Sequence, residues 1–137
     1  MKLKKINLYF GLTLFVGFLL TGYYMENYFK LEHIDNLVMR MQIRASHIYI
    51  LFISFLNVMA FKFNLKSNNR FSGFLEIMFR VLIIASGILA VFAFLKEHTG
   101  DLEMRNSTRY AVILSTASVG LILLNELVHL MMKKKSI

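Results

Sequence analysis

Cysteine, proline and tryptophan are all missing from this sequence of 137 residues. Without cysteine the chain forms no disulfide and offers no thiolate for nucleophilic or metal chemistry. Without proline, the broken helices that transporters often use are less expected, although glycine also interrupts helices. The motifs G-x-S-x-G and H-E-x-x-H and a phosphate-binding glycine loop are missing as well. These absences favour a protein that is not an enzyme.

Charge is also scarce, since 18% of the residues are charged and 57% are hydrophobic. Soluble domains are usually about 25% charged and about 45–50% apolar. The composition therefore indicates a membrane protein, and the length predicts a single domain over residues 1–137. The net charge of +8 comes from residues that flank apolar stretches. Because these residues form no basic patch interleaved with stacking aromatics, nucleic-acid binding is not predicted.

Four apolar segments are long enough to cross the hydrocarbon layer, which takes about 20 residues of helix. They lie at about residues 6–24, 47–61 with its flanks, 71–95 and 110–132. The fold class predicted is an all-α membrane protein that forms a four-helix transmembrane bundle. The first 20 residues also resemble a signal peptide, but no small-x-small cleavage site follows. We therefore expect an uncleaved first span.

Five polar segments flank or connect the four spans, and three of them contain no acidic residue. These three segments contain nine basic residues: Lys2, Lys4, Lys5, Lys62, Lys66, Arg70, Lys133, Lys134 and Lys135. The other two segments balance six basic residues with six acidic ones. The positive-inside rule then places both termini in the cytoplasm. Short connections favour the bacterial inner membrane as the location.

The first connection on the outer side has the apolar spacing of a helix at residues 31, 34, 37, 38 and 41. Asp35 is expected to cap a helix that runs without a break into the second span. Such a helix has about 27 residues and a length of about 40 Å. The sequence therefore predicts a helical extension of the second span on the outer side.

At the start of that span Arg40, Arg44, His47 and Ser54 share one helical face, at 100° per residue. The arginines are expected to reach lipid headgroups, or to pair with an outer carboxylate at Glu97, Asp101 or Glu103.

Two alternative interpretations of this face stay open. One is an anion or lipid-phosphate site. The other is a haem b site with His47 as an axial ligand. The candidates for a second haem ligand are His98, His33, Met25 and Met104. No tight cluster of metal ligands is present, so no metal site is predicted.

A second polar cluster is predicted within the spans, roughly 6–15 Å from the cytoplasmic edge at 1.5 Å per residue. Its members come from the second, third and fourth spans: Asn57, Glu76, Arg80, Asn125, Glu126 and His129. Ionisable groups at this depth generally face the bundle interior and are usually paired. The cluster is either a structural network that sets the helix register or a site where Glu126 and His129 titrate beside Arg80.

The function predicted is that of a small non-enzymatic membrane protein, an accessory or assembly subunit of a membrane complex or a homo-oligomer. Its partners are then membrane lipids and other membrane subunits or further copies of itself. Small residues on the spans allow such packing. They are Gly11 and Gly17, Ser86 and Ala90, and Thr116 and Gly120. The two alternatives are a haem b electron-transfer protein and a proton- or ion-conducting oligomer that uses Glu126, His129 and Arg80.

Overall fold

The computed structural model describes residues 2–32, 35–63, 70–97 and 105–134. The side chains of Lys2, Leu31, Arg70 and residues 128–134 are not among those it describes. In these ranges every regular element is a helix. The elements are α1 (Lys2–Tyr24), a π-helical turn (Met25–Phe29), α2 (Lys30–Glu32), α3 (Leu37–Lys62), α4 (Arg70–Lys96) and α5 (Asn106–Lys134).

Four helical stretches are long and apolar enough to cross a membrane, as the sequence predicted. They are Leu3–Phe29, Leu37–Lys62, Phe71–Lys96 and Asn106–Leu127. The shortest has 22 residues, about 33 Å of helix at 1.5 Å per residue, against about 30 Å of hydrocarbon. This is the make-up of an integral membrane protein. The side of the membrane on which each terminus lies stays a prediction.

The helix ends around the first connection differ from the prediction. The first helix continues past Tyr24 through the π-helical turn to Glu32, which the sequence did not predict. The continuous helix expected after Asp35 is present as α3, Leu37–Lys62. The cap of α3 is Asn36, whose side chain accepts a hydrogen bond of 3.0 Å from the Met39 N–H. The prediction that Asp35 caps this helix was therefore wrong by one residue. Aspartate and asparagine cap equally well, so sequence alone does not choose between neighbours.

The helices pack as two hairpins, α1 with α3 and α4 with α5, and the hairpins meet mainly through α3 and α4. At one end of the bundle, Asn7 contacts Asn57. At the other end, Thr21 contacts His47. Successive long helices therefore run in opposite directions. We call the end that holds Asn7, Asn57 and Arg80 the terminal end, and the end that holds His47 the far end.

Glycine permits close helix contacts at two positions of the bundle. A Cβ on Gly11 would lie 2.9 Å from the Val58 backbone nitrogen, and one on Gly87 would lie 2.7 Å from the Phe10 ring. Larger side chains at these positions would force the helices apart. At Gly17 and Gly120, such a Cβ would have no neighbouring atom within 4 Å in the part of the chain that the structure describes. The small residues identified in the sequence thus divide into an inward set and an outward set.

Apolar side chains form both the core and the exterior. The buried core follows the helix contacts, with Leu14, Phe29, Ile43, Ile50, Ile53, Ala90, Phe94 and Ala111 in one cluster and Ala60, Phe79 and Ile83 in another. Large apolar side chains are also exposed on all four long helices, for example Leu20, Phe52, Phe74, Ile88 and Leu123. A soluble monomer rarely exposes so much contiguous apolar surface, whereas hydrocarbon accommodates it.

Candidate functional site

The guanidinium of Arg80 is the centre of the polar contacts at the terminal end, and the residue is 1% exposed. Its Nε and Nη2 donate to Glu76 Oε1 at 3.1 and 2.9 Å. Its Nη1 donates to the Ala60 carbonyl and its Nη2 also donates to the Phe63 carbonyl, both at 2.8 Å. The last carbonyls of a helix have no partner within the helix. Arg80 therefore closes the C-terminus of α3, and its charge is stabilised there by a carboxylate and the helix dipole.

Two buried amides connect three helices beside this arginine. Asn57 donates to the Ile53 carbonyl at 3.0 Å and to the Ile83 carbonyl at 3.3 Å. Its Oδ1 accepts from Asn7 Nδ2 at 3.0 Å, and the same nitrogen lies 3.4 Å from the Arg80 carbonyl. The Oδ1 of Asn7 has no hydrogen-bond partner in the described part of the chain. These contacts link α1, α3 and α4 at one level.

Two further polar contacts between helices lie at the terminal end. Lys4 Nζ lies 3.8 Å from Glu76 Oε1, which joins α1 to α4. Ser72 Oγ donates to Asn125 Oδ1 at 3.1 Å, which joins α4 to α5. Four of the six residues of the predicted cluster thus lie at the terminal end and make contacts between or within helices. We call the set Lys4, Asn7, Asn57, Glu76 and Arg80 the terminal network.

Glu126 does not join this network. Its side chain is exposed, whereas its neighbour Asn125 is buried. The prediction that Glu126 faces the bundle interior was therefore wrong. Neighbouring residues of a helix point 100° apart, so Glu126 is exposed although Asn125 beside it is buried. The side chain of His129 falls outside the described residues, so its predicted role is not addressed.

Two members of the terminal network, Lys4 and Asn7, were not in the cluster predicted from the sequence. A single amide in an apolar segment gives little signal by itself. The signal that was present is depth, because Asn7 lies just inside Lys5 and Asn57 lies just inside Lys62. Two amides at equal depth on adjacent antiparallel helices are placed to hydrogen-bond each other.

At the far end, Glu97 caps α5. Its carboxylate accepts from the backbone N–H of Ser107 and from the N–H and hydroxyl of Thr108, the last two at 2.9 and 2.7 Å. Burial acts to raise the pKa of Glu97, but these hydrogen bonds outweigh it and hold the pKa below its ordinary value. A carboxylate at a helix N-terminus is also favoured by the helix dipole. Glu97 is therefore engaged by α5, whereas the sequence predicted it as one of three possible partners for Arg40 or Arg44.

Arg105 links the start of α5 to α3. Its Nη2 lies 3.2 Å from Ser46 Oγ and 3.2 Å from Thr108 Oγ1. Its Nε is buried and has no partner among the described residues. With the Glu97 cap, this contact positions α5 against both neighbouring helices at the far end.

The ring of His47 packs against α1. It stacks on Phe18 with ring centroids 4.1 Å apart, and its Nδ1 lies 2.9 Å from the Thr21 hydroxyl. A Cβ on Gly22 would lie 3.2 Å from His47 Cε1 and 3.5 Å from Nε2, so the other edge of the ring also lies against this helix. The Nδ1 edge of the ring is thus engaged by Thr21, and the Cε1–Nε2 edge lies near Gly22.

Of the four candidates for a second haem ligand, only Met25 lies in the described residues. Met25 is partly buried and packs against the main core cluster. His33, His98 and Met104 lie outside the described residues. The described interactions of His47 are those of a packing residue, and the haem b alternative stays a prediction.

Arg40 and Arg44 lie at a small pocket between α3 and the end of the first helix. The pocket has a volume of about 30 Å³ and is lined by Met25, Glu26, Phe29, Lys30, Arg40, Ile43 and Arg44. Further along the same face of α3, Ser54 Oγ donates to the Gly11 carbonyl at 2.8 Å. The four residues that the sequence placed on one face therefore all lie against α1 or its π-helical continuation. His47 is not part of the pocket.

In the described ranges, no three His, Asp or Glu side chains come close enough together to hold a metal ion. Comparison with profiles of known protein families, with curated proteins and with solved structures found no match.

Proposed function

We propose that this is a non-enzymatic integral membrane protein that works by lateral association within the bilayer, as an accessory or assembly subunit of a membrane complex or as a homo-oligomer. The observation that carries the proposal is the outward face of α5. No atom of the other described residues lies within 4 Å of the Cβ position of Gly120 on this face. In lipid, helices associate where small residues let two backbones approach closely.

The rest of that face has the composition of a helix-packing surface. Thr116, four residues before Gly120, is exposed, and so is Ala117. Exposed Ile113 and Leu124 lie on either side of them. Of the most apolar part of α5, 22% is buried within the chain, compared with 44% for α4 and 17% for the first helix, so the small residues and not the burial distinguish α5. A small-x-x-x-small pair framed by large apolar side chains favours a partner helix on this side.

The interior of the bundle supports a structural role for its polar groups. Arg80 has its donors directed at Glu76 and at two backbone carbonyls, and Glu126 lies on the exterior. This arrangement does not support proton or ion transfer within one chain among Arg80, Glu126 and His129. The polar groups at the terminal end hold the helices in register.

The orientation that goes with this proposal has both termini in the cytoplasm, in a bacterial inner membrane. Its support is the distribution of nine basic residues on the terminal side and six on the far side, where six acidic residues also lie. Membrane lipids then surround the chain, and another membrane subunit or a second copy covers α5.

The test is native mass measurement after gentle detergent extraction. The wild-type protein should carry a second copy or another chain, and Gly120→Leu should release it because leucine prevents close helix approach. Gly17→Leu is the matched control, since Gly17 is equally open but lies on α1. A wild-type monomer with nothing bound would contradict the proposal. Release by Gly17→Leu alone would move the contact from α5 to α1.

The same preparation separates the proposal from its two alternatives. Protein expressed with haem supplied should show no Soret band, because His47 is packed against α1. Proteoliposomes should show no proton flux that depends on Glu126, tested with Glu126→Gln. A Soret band lost in His47→Ala, or flux lost in Glu126→Gln, would favour the corresponding alternative.

A further inference from the structure

The pocket at Arg40 and Arg44 combines a positive rim with an apolar floor. Phe29 and Ile43, each 2% exposed, form part of its wall. Lys30, Arg40 and Arg44 contribute three cations, and one carboxylate, Glu26, also lines it. The lining therefore has an excess of two positive charges.

The carboxylate in this pocket is engaged with the lysine. Glu26 Oε1 lies 2.7 Å from Lys30 Nζ, one helical turn along, and both side chains are largely exposed. Such an exposed pair contributes little to stability. The other two cations of the lining, Arg40 and Arg44, lie on the α3 side of the pocket. Arg44 there is exposed. An arginine fork binds the oxygens of a phosphate group in a bidentate manner.

The backbone beside the pocket is unusual. Residues Met25–Phe29 form a π-helical turn, and the Lys30 N–H donates to the Met25 carbonyl five residues earlier. Single π-helical turns are rare and occur frequently at functional sites. This turn carries three of the seven pocket residues, namely Met25, Glu26 and Phe29. The irregular turn and the basic pocket thus coincide.

We propose that Lys30, Arg40 and Arg44 form a binding site for a phosphate group, carried on the headgroup of an anionic phospholipid. This site goes beyond lateral association and does not depend on it. The volume of about 30 Å³ admits phosphate oxygens but not a whole solute, so the rest of the ligand lies outside the pocket. Basic pockets between spanning helices bind anionic headgroups in this way.

The surroundings of the pocket favour a lipid over free phosphate. Tyr23, Tyr24 and Tyr28 are exposed beside it, and the Tyr24 and Tyr28 rings stack with centroids 6.1 Å apart. Tyrosine is enriched at the level of lipid headgroups. The phosphate of a lipid at that level lies next to the pocket with its chains in the hydrocarbon.

The test titrates the detergent-purified protein with phosphatidylglycerol and counts bound lipids by native mass measurement. Each basic residue near a membrane surface contributes about a factor of five in affinity. Arg44→Gln should therefore weaken binding about fivefold, and Arg40→Gln with Arg44→Gln about 25-fold. Arg109→Gln is the matched control, because Arg109 is exposed near the far end but does not line the pocket. Arg109→Gln should bind phosphatidylglycerol with the same affinity as the wild type.

A variant with the opposite expected effect distinguishes a binding role from a structural one. Glu26→Gln removes the carboxylate and frees Lys30, so phosphatidylglycerol should bind about two- to fivefold more tightly. Far-UV circular dichroism checks that each variant is folded, and Arg44→Gln alters an exposed side chain.

Two outcomes would overturn the proposal. Unchanged lipid binding in the folded double variant, compared with Arg109→Gln, would show that these residues hold no headgroup. Displacement of the lipid by millimolar inorganic phosphate, with the same loss in the double variant, would reassign the site to free phosphate. Retention of the lipid against inorganic phosphate, together with the losses above, would support a phospholipid site.

Discussion

The two ends of the bundle use arginine in opposite ways. At the terminal end Arg80 is buried, and its N–H groups donate to Glu76 and to the last carbonyls of α3. At the far end Arg44 is exposed and lines a pocket whose cations outnumber its carboxylates. A buried cation saturated by backbone oxygens is committed to the fold, since any other use would leave those groups unpaired. An open basic pocket is available to a ligand without such a cost.

The two ends also differ in the contacts of their buried or partly buried carboxylates, Glu97 and Glu76. Glu97 is held by the N-terminus of α5, so it orders a helix start and does not neutralise the basic pocket. Glu76 at the terminal end instead pairs with Arg80 and lies 3.8 Å from Lys4. The carboxylate at the terminal end thus pairs with a buried arginine, whereas Glu97 at the far end binds backbone N–H groups and a hydroxyl.

Removing the buried arginine is expected to have the largest effect. Arg80→Leu leaves Glu76 and the Ala60 and Phe63 carbonyls without their partner, and breaking a buried ion pair costs about 3–5 kcal/mol. The free energy of unfolding in mixed micelles, followed by circular dichroism, measures this loss. Arg109→Leu, at an exposed position, is the control. A change below about 0.5 kcal/mol would show that Arg80 is not committed to the fold.

The buried amides are expected to have an intermediate effect. Asn57→Ala should cost about 1–3 kcal/mol because buried carbonyls and Asn7 lose their partner, and Asn7→Ala should cost less. The double variant should reveal a coupling energy of about 0.5–3 kcal/mol in a double-mutant cycle. Asn27→Ala is the control, since Asn27 bonds the Tyr23 carbonyl at the surface. Additive losses would mean that the 3.0 Å contact between the two amides is not a stabilising link.

The capping carboxylate should have the smallest effect, and one that depends on pH. Because the pKa of Glu97 is lowered in the folded state, its stabilisation is complete above the ordinary glutamate value and is lost as the pH falls through the folded value. Glu97→Gln should lower the free energy of unfolding by about 1 kcal/mol at neutral pH.

The difference between wild type and Glu97→Gln should shrink as the pH is lowered below about 4. Thermal unfolding at several pH values measures it, with Glu32→Gln, an exposed carboxylate, as the control. A difference that stays constant down to strongly acidic pH would contradict the cap assignment.

Several site residues were predictable from local patterns. Glu76 and Arg80 are four residues apart on a helix, and this spacing alone indicates the pair that the structure contains. Arg40 and Arg44 have the same spacing and share the pocket. Local patterns work here because helix geometry alone brings these side chains together.

Other features depend on contacts between distant segments. The Ala60 and Phe63 carbonyls that accept from Arg80 carry no signal in the sequence, because every residue has a carbonyl. Likewise, Glu26 and Lys30 join Arg40 and Arg44 only because the first helix continues through a π-helical turn. The exposed position of Glu126 follows from how closely α5 packs on its neighbours, which helical periodicity does not specify.

The sequence by itself determined that four helices are long and apolar enough to span a membrane, because length and hydropathy are properties of each segment alone. It also determined which charges lie near each segment end. Only the tertiary structure decided which charges are buried, which are paired and which face outward. Those outcomes depend on the distances between helices, and those distances are set by packing at positions such as Gly11 and Gly87.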